Sequence, residues 1–448
     1  MLFNTLTYLF FLPIVFVLYW CGRNCRQQNI VLILASMVFY GWWSREFLAL
    51  MLAICLFNYF MLPALKRSSN RKLCLLLTLG VNFSVLAVFK YFNFFVANLS
   101  DAFMLLGIRL DYPTLSLVLP VGISFYTFQL SGYAIDCYRS PMEKVIPVVD
   151  FLTFMTFFPQ LVAGPIERGS DMLPQIASMR HFDYGTARDG MRLILWGLMK
   201  KMLLADNCAQ VVDNIFSRYD TASMPDLWLG ALFFTFQIYG DFSGYSDMAV
   251  GSARLFGIQI HNNFNKPYFA RDLRDFWRRW HITLMAWFKD YLYIPLGGNR
   301  KGRLRRVLNT FSVFFLSGLW HGANWTFVCW GLYHALWLFI PHRWLTFIIV
   351  MVGWVIFRSP DMVAAMQYVG GMFSPALWGP VTCSRFPLVL IAAYVVAEKM
   401  MRDHEHPFSF RNTGIMASQW LRLSVYLLLF LLTVFFGGKQ IQFIYCQF

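Results

Sequence analysis

The chain has 448 residues, of which 58% are hydrophobic, 19% are aromatic and only 14% are charged. Soluble domains are about one quarter charged. A chain this apolar needs lipid as its solvent, which excludes a soluble globular protein. Its net charge is +15. The Lys and Arg residues lie in short clusters between apolar stretches, where the positive-inside rule places them. The charge therefore reflects membrane topology, and nucleic acid is excluded as a partner.

The apolar stretches predict an all-α, polytopic integral membrane protein with about 11–13 membrane or re-entrant helices. We expect a single membrane-embedded domain over 1–448. The first stretch lacks a basic n-region and a small-residue cleavage site, so we interpret it as a span and not as a signal peptide. The predicted spans are 3–20, 30–43, 47–64, 73–97, 114–135, 148–165, 190–205, 226–250, 307–320, 325–340, 344–357, 387–401 and 421–437.

The basic clusters set the expected orientation. Basic residues follow the first predicted span at 23–26 and the third at 66–72, whereas the turn between the second and third spans is nearly neutral. This alternation places the N-terminus outside and the basic loops in the cytoplasm. The richest basic cluster spans 266–306 and is either a docking site for a phosphate-rich or acidic partner or a topology signal that contacts lipid head groups. Its docking candidates are Arg274, Arg278, Arg279, Arg300 and Arg303.

Four segments carry polar residues at predicted membrane depth, where each is a functional hypothesis. The first is 307–322, VLNTFSVFFLSGLWHG, which follows the basic cluster. His321 comes 14 residues after Val307, or roughly 21 Å along a helix, past the middle of a hydrocarbon core about 30 Å thick. Gly318 and Gly322 should leave space beside its ring. A neutral histidine there can accept a proton from a hydroxyl, or it can simply bridge two helices by a hydrogen bond.

The second segment is 275–298, DFWRRWHITLMAWFKDYLYIPLGG. Trp280, Leu284, Trp287 and Tyr291 recur at helical spacing, which predicts an amphipathic helix at the cytoplasmic interface. His281 is its ionisable group. A structural interfacial helix and a functional one are both compatible with this spacing.

The third segment is 236–251, FQIYGDFSGYSDMAVG, in which polar residues interrupt an apolar span. They include the candidates Asp241, Ser243 and Tyr245. Such a strip either lines a water-filled cavity or joins neighbouring helices, and its glycines allow close helix contact or unwinding.

The fourth segment is 157–169, FFPQLVAGPIERG, where two prolines and a glycine should break the helix. Irregular backbone at membrane depth must be buried in protein or line a cavity. The alternative is a kinked helix that ends in an ordinary interfacial loop. From composition and spacing alone, channel, transporter and enzyme all remain possible.

The same segments resemble the membrane-bound O-acyltransferase superfamily. The run RDFWRRWHITLMAWFKDYLYIPLGGNR (274–300) is similar to the signature of its bacterial branch, which includes the alginate O-acetyltransferase membrane subunit and the D-alanyl transfer protein of teichoic acid synthesis. SGLWHGANWTFVCWGLYHA (317–335) resembles the segment that holds the superfamily's essential histidine, and 157–168 and 241–251 resemble two further family stretches.

The resemblance implies a bundle of membrane and re-entrant helices around a tunnel, in the bacterial inner membrane. It implies that an acyl group, foremost acetyl, moves from a cytoplasmic thioester donor to an extracytoplasmic polysaccharide, directly or through a partner acyltransferase. His321 matches the essential histidine and His281 the second histidine of the bacterial signature. The donor that the resemblance implies is acetyl-CoA or an acyl carrier protein, and neither a resident cofactor nor a metal is expected. D-alanyl transfer from a carrier protein is the nearest alternative, ahead of a lipid acceptor, a transporter and a structural scaffold.

The expected mechanism has His321 as the general base, and a covalent serine step is the less favoured alternative because no serine lies beside a histidine at catalytic spacing. Trp320, Asn324 and His281 are candidates for oxyanion stabilisation. Trp320 and Asn324 are also tunnel candidates, together with Asp241, Ser243, Tyr245 and Trp287.

Overall fold

A computed structural model describes residues 1–109, 114–140, 146–341, 343–401, 404–406, 408, 418–439, 441 and 443. Every regular element among these residues is helical, which confirms the all-α prediction. The helices up to 180 are α1 (Leu6–Trp20), α2 (Cys25–Gly41), α3 (Arg45–Arg67), α4 (Arg71–Leu86), α5 (Phe92–Met104), α6 (Ile123–Arg139), α7 (Val148–Thr156), α8 (Phe158–Leu161) and α9 (Gly169–Ala177).

The later helices include one of 32 residues, α12. They are α10 (Tyr184–Leu198), α11 (Asp206–Ser217), α12 (Met224–Leu255), α13 (Leu273–Trp277), α14 (Ile282–Phe288), α15 (Gly302–His321), α16 (Trp325–Trp337), α17 (Thr346–Arg358), α18 (Met362–Met372), α19 (Phe386–Met400) and α20 (Gln419–Phe436). Within the part of the chain that the structure describes, three π-helical segments continue or join these helices: Ala87–Tyr91, Met199–Ala205 and Lys289–Tyr293.

Among the described residues, three helical stretches are long and apolar enough to cross a bilayer unaided: Arg45–Arg67, Arg71–Met104 and Gln419–Phe436. The second joins α4 and α5 through the π-helical segment Ala87–Tyr91. Two shorter apolar helices, α1 and α17, accompany them. The remaining helices are too short or too polar to meet this criterion, as expected where helices are shielded by other helices.

The described chain divides into two compact units. Unit 1 comprises Met1, Phe10–Arg180 and Leu319–Asn324, and unit 2 comprises Leu2–Leu9, His181–Gly318 and Trp325–Phe448. The single embedded domain over 1–448 stays a prediction.

In unit 1 the chain breaks between α7 and α9, as the prolines of the fourth segment predict. The whole segment 157–167 is buried, so it is irregular backbone enclosed in protein and not an interfacial loop. Its polar groups find partners: the Phe154 carbonyl accepts hydrogen bonds from the side-chain amides of Gln160 at 2.7 Å and Gln129 at 3.1 Å. These amides satisfy a carbonyl that the break leaves free, as a low-dielectric environment requires.

In unit 2, α10 and α12 pack backbone to backbone through pairs of glycines. A Cβ on Gly197 would lie 2.5 Å from the Gly244 carbonyl oxygen, and one on Gly190 would lie 2.6 Å from that of Gly251. Because α12 is continuous from Met224 to Leu255, Gly244 serves close helix contact and not unwinding. Small residues allow this approach in membrane proteins.

The prediction of one amphipathic helix over 275–298 is wrong. The chain forms α13, breaks at His281, forms α14 and continues into the π-helical segment Lys289–Tyr293. The tryptophans keep helical spacing across the break, so their pattern does not show it. His281 adopts a left-handed backbone conformation, which a histidine in the sequence does not predict.

Two further differences from the prediction concern α6 and α18. The helix expected over 114–135 begins only at Ile123, after Gly122 with φ of 76°. Helix α18 is absent from the prediction, although Asp361 caps it by accepting a hydrogen bond from the Ala364 N–H at 2.8 Å. Its eleven residues are too few to register as a span.

Candidate functional site

His321 is the last residue of α15, a 20-residue helix and therefore about 30 Å long. Its side chain is buried, with 5% of the residue exposed. The prediction that Gly318 leaves space beside the ring is wrong: a Cβ there would lie 2.2 Å from the Phe327 carbonyl oxygen of α16. Gly318 instead lets two helix backbones touch.

Two consecutive side chains of the π-helical segment Ala87–Tyr91 bind the end of α15. The Lys90 ammonium donates to the Trp320 carbonyl at 2.7 Å, and the Tyr91 hydroxyl donates to the Leu319 carbonyl at 2.8 Å. The last carbonyls of a helix have no partner within the helix, and a cation there is favourable to the helix dipole. The end of α15 is thus anchored directly beside His321.

The Trp320 indole packs in the same part of unit 1. It contacts Phe125 and Phe128 of α6 with ring centroids 5.4 and 5.6 Å apart, and the Lys90 nitrogen lies 5.9 Å from its centroid. The ring of Trp320 also meets His321 edge-on at 4.9 Å. Asn324, the third candidate here, is half-buried in the loop before α16.

His281 lies in unit 2 at the break between α13 and α14, and only 1% of it is exposed. Residues 263–265 form hydrogen bonds to the chain on both sides of the break, and we call this set of bonds the clasp. The Asn263 carbonyl accepts from the Ile282 N–H at 2.9 Å, and its side-chain oxygen accepts from the Thr283 hydroxyl at 2.6 Å. The Asn265 N–H donates to the Arg279 carbonyl at 2.9 Å.

This clasp holds His281 at φ of 44°, in the left-handed region. Among the described residues, Lys266, at φ of 46°, is the other non-glycine residue with positive φ. Such backbone strain persists only where surrounding contacts impose it, and it concentrates at functional sites. The imidazole meets the edge of Phe242 of α12 with ring centroids 4.8 Å apart.

The polar strip of α12 joins helices through buried charges. Asp241 forms an ion pair with Lys201 of the π-helical segment Met199–Ala205, at 2.6 Å, and Lys201 also pairs with Asp206 at 2.8 Å. Further along α12, Asp247 pairs with Lys200 at 2.6 Å. Of the two interpretations of this strip, these contacts support the joining of helices.

The remaining tunnel candidates of unit 2 lie in different surroundings. Ser243 is fully buried in α12, and Tyr245 is stacked between Phe3 and Phe443 with ring centroids 4.4 and 4.8 Å away. Trp287 of α14 is half-buried and contacts Tyr291 at 5.1 Å.

Of the five docking arginines, Arg274, Arg278, Arg300 and Arg303 are exposed. Arg279 is engaged, because its guanidinium donates to the Asp275 carboxylate at 2.9 Å. Partial burial by itself would raise the pKa of Asp275. The hydrogen bonds from Arg279 and the Arg271 N–H, with the charges of both arginines, outweigh burial and hold that pKa below its ordinary value.

Comparison with known proteins identifies the group to which this chain belongs. The model of the family described as membrane-bound O-acyltransferase matches residues 139–377, more than half of the chain. The chain belongs to this family. The matched region contains all four motif segments, including His281 and His321. The protein is therefore a polytopic membrane enzyme that transfers acyl groups.

Family members named O-acetylase or O-acetyltransferase are similar to this chain over most of its length, and one named D-alanyltransferase is similar over about half. The probable alginate O-acetylase AlgI of Pseudomonas putida is 40% identical over 84% of this chain and 81% of its own length. The peptidoglycan O-acetyltransferase of Helicobacter pylori is 36% identical over 83% and 80%. The teichoic acid D-alanyltransferase of Streptococcus thermophilus is 30% identical over 52% and 59%.

Sequence reasoning missed several residues that hold candidate segments in place within each unit of this O-acyltransferase. Lys90 lies inside the predicted span 73–97, and a lysine at that depth is itself a signal. Lys200 and Lys201 likewise lie within the predicted span 190–205. The role of Asn263 could not be predicted from the sequence, because it depends on a hydrogen bond to a residue 20 positions away.

Proposed function

We propose that this O-acyltransferase moves acetyl groups from a cytoplasmic thioester donor to hydroxyls of an extracytoplasmic polysaccharide. The observation that carries this proposal is the similarity, at 36–40% identity over about four fifths of the chain, to proteins named alginate O-acetylase and peptidoglycan O-acetyltransferase. The proteins named D-alanyltransferase match only about half of it.

His321 acts as the general base in this proposal. Its imidazole takes the proton of the acceptor hydroxyl, and the oxygen attacks the thioester carbonyl. The carbon–sulfur bond then breaks, the thiolate accepts the proton, and an ester and a free thiol result. Burial of the ring and the anchored end of α15 support this role, because a general base must be held in position.

The attack creates an oxyanion, which needs hydrogen-bond donors already in place. We assign this stabilisation to His281, Trp320 and Asn324 as candidates. The strained, clasped backbone of His281 supports a functional role for that residue in particular.

The donor is acetyl-CoA or an acylated carrier protein, and no cofactor is resident. Both donors carry phosphate or acidic groups, and the exposed Arg274, Arg278, Arg300 and Arg303 offer a complementary charge. We place this cluster in the cytoplasm and the N-terminus outside, in the inner membrane of a bacterium. Surrounding lipid is the other partner of this surface.

An extracytoplasmic acyltransferase, or another polysaccharide-modifying protein, completes the reaction where this enzyme does not meet the polymer itself. D-alanyl transfer from a carrier protein to an envelope polymer is the second candidate, supported by the match to D-alanyltransferases.

The test measures ester-linked acyl groups on the surface and secreted glycans of a deletion strain. The strain is complemented with the wild type, His321→Ala, or His181→Ala as the control, since His181 is an exposed histidine. We expect acetyl ester to return with the wild type and His181→Ala only. D-alanyl ester would support the second candidate, and ester content independent of the gene would refute both.

A further inference from the structure

We propose that Lys90 is a positioning residue for His321, acting through the Trp320–His321 peptide; this inference rests on the proposed function of His321. The carbonyl that accepts from the Lys90 ammonium, at 2.7 Å, is that of Trp320. This carbonyl belongs to the same planar peptide unit as the His321 nitrogen. Fixing its oxygen fixes the plane from which the His321 side chain departs.

The contact is made from a π-helical segment. Two consecutive residues of Ala87–Tyr91, Lys90 and Tyr91, donate to two consecutive carbonyls, those of Trp320 and Leu319. Single π-turns within α-helices occur frequently at functional sites.

The helical stretch around Lys90 is apolar, so burying the charge of its ammonium there costs free energy and a lysine without a role is not expected. Lys90 interrupts an apolar helical stretch of 34 residues, Arg71–Met104. Its nitrogen also lies 3.4 Å from the Ser124 hydroxyl and 5.9 Å from the centroid of the Trp320 ring. An ionisable group in such a stretch marks function by default, and here the shortest polar contact of the ammonium is to the carbonyl of the residue before His321.

Positioning predicts a defect in turnover and not in donor binding. Small displacements of a catalytic group lower rates steeply, by about 100-fold for a shift of about 1 Å. We therefore expect Lys90→Met to lower kcat by about 10- to 100-fold without changing the KM for acetyl-CoA. Lys90→Arg keeps a charged donor and should recover most of the turnover, and Tyr91→Phe should give a smaller loss.

The experiment uses the full-length protein purified in detergent, with the matched control Lys72→Met, which removes an exposed lysine near the start of the same helical stretch. Two readouts are taken: kcat and KM for acetyl transfer, and the rate at which diethyl pyrocarbonate modifies His321, followed by peptide mass spectrometry. A changed modification rate in Lys90→Met, with wild-type rates in Lys90→Arg and Lys72→Met, supports the proposal.

Wild-type kcat together with an unchanged modification rate in Lys90→Met overturns it, as does a rise in KM alone. If Lys90→Met does not accumulate, Lys90→Gln is judged by the same two readouts. If even the wild type transfers no acetyl group, the proposed function fails, whereas the modification rate of His321 still decides whether Lys90 positions it.

Discussion

At the scale of single residues, substitutions of His281 can distinguish its effect on protein stability from its effect on acyl transfer. A left-handed conformation costs a residue with a Cβ about 1–2 kcal/mol, and glycine escapes that penalty. Because His281 has φ of 44°, we expect His281→Gly to unfold at a higher temperature than His281→Ala.

Both variants lack the imidazole, so both should lose acyl transfer if His281 acts in the reaction. Thermal unfolding in detergent measures the first effect, and acetyl transfer measures the second. Equal melting temperatures would mean that the clasp around Asn263 relaxes when the histidine is removed. Transfer retained in both variants would restrict His281 to a structural role.

Loss of Lys201 should strongly destabilise unit 2. It neutralises both Asp241 and Asp206, at 2.6 and 2.8 Å. Lys201→Met leaves two buried carboxylates without their cation, and breaking a buried pair costs about 3–5 kcal/mol. Asp241→Asn leaves Lys201 its partner Asp206 and should be milder. Thermal unfolding of the two variants checks the order, and the reverse order would contradict these pairings.

At the scale of elements, α15 and α16 pack through glycine. A Cβ on Gly318 would lie 2.2 Å from the Phe327 carbonyl oxygen, whereas one on Gly370 of α18 would meet nothing within 4 Å. We expect Gly318→Ala to reduce the yield of folded protein sharply, since backbone cannot move aside locally. Gly370→Ala should be neutral or stabilising by up to about 1 kcal/mol. Size-exclusion profiles of both variants test this, and a wild-type profile for Gly318→Ala would contradict it.

The sequence predicts a helix or a helix break well where the length of an apolar stretch or a proline determines it. The helix that carries His321 and the break over 157–169 are confirmed, because the apolar length of the first and Pro159 in the second act locally. The break at His281 was missed because a contact 18 residues earlier in the chain, at Asn263, imposes it. The anchoring of α15 was missed for the same reason: Lys90 and Trp320 are 230 residues apart.

At the scale of the whole molecule, the basic cluster over 266–306 is the expected determinant of donor binding. Reversing two exposed charges, with Arg300→Glu and Arg303→Glu together, should raise the KM for acetyl-CoA by about tenfold at low ionic strength, since a basic surface concentrates an anionic substrate. The effect should shrink as salt screens the charges. Reversal of the equally exposed Arg23 and Arg26 is the control, and an equal rise in KM there would mean that net charge and not this cluster attracts the donor.

The most direct test of the central claim is the rate of acetyl transfer by purified protein carrying His321→Ala, measured against the wild type and His181→Ala. Loss of a general base lowers the rate by about 10²–10⁴-fold, and we expect a loss of that size with an unchanged KM for acetyl-CoA and an unchanged melting temperature. A transfer rate close to that of the wild type would contradict the assignment of His321 as the base.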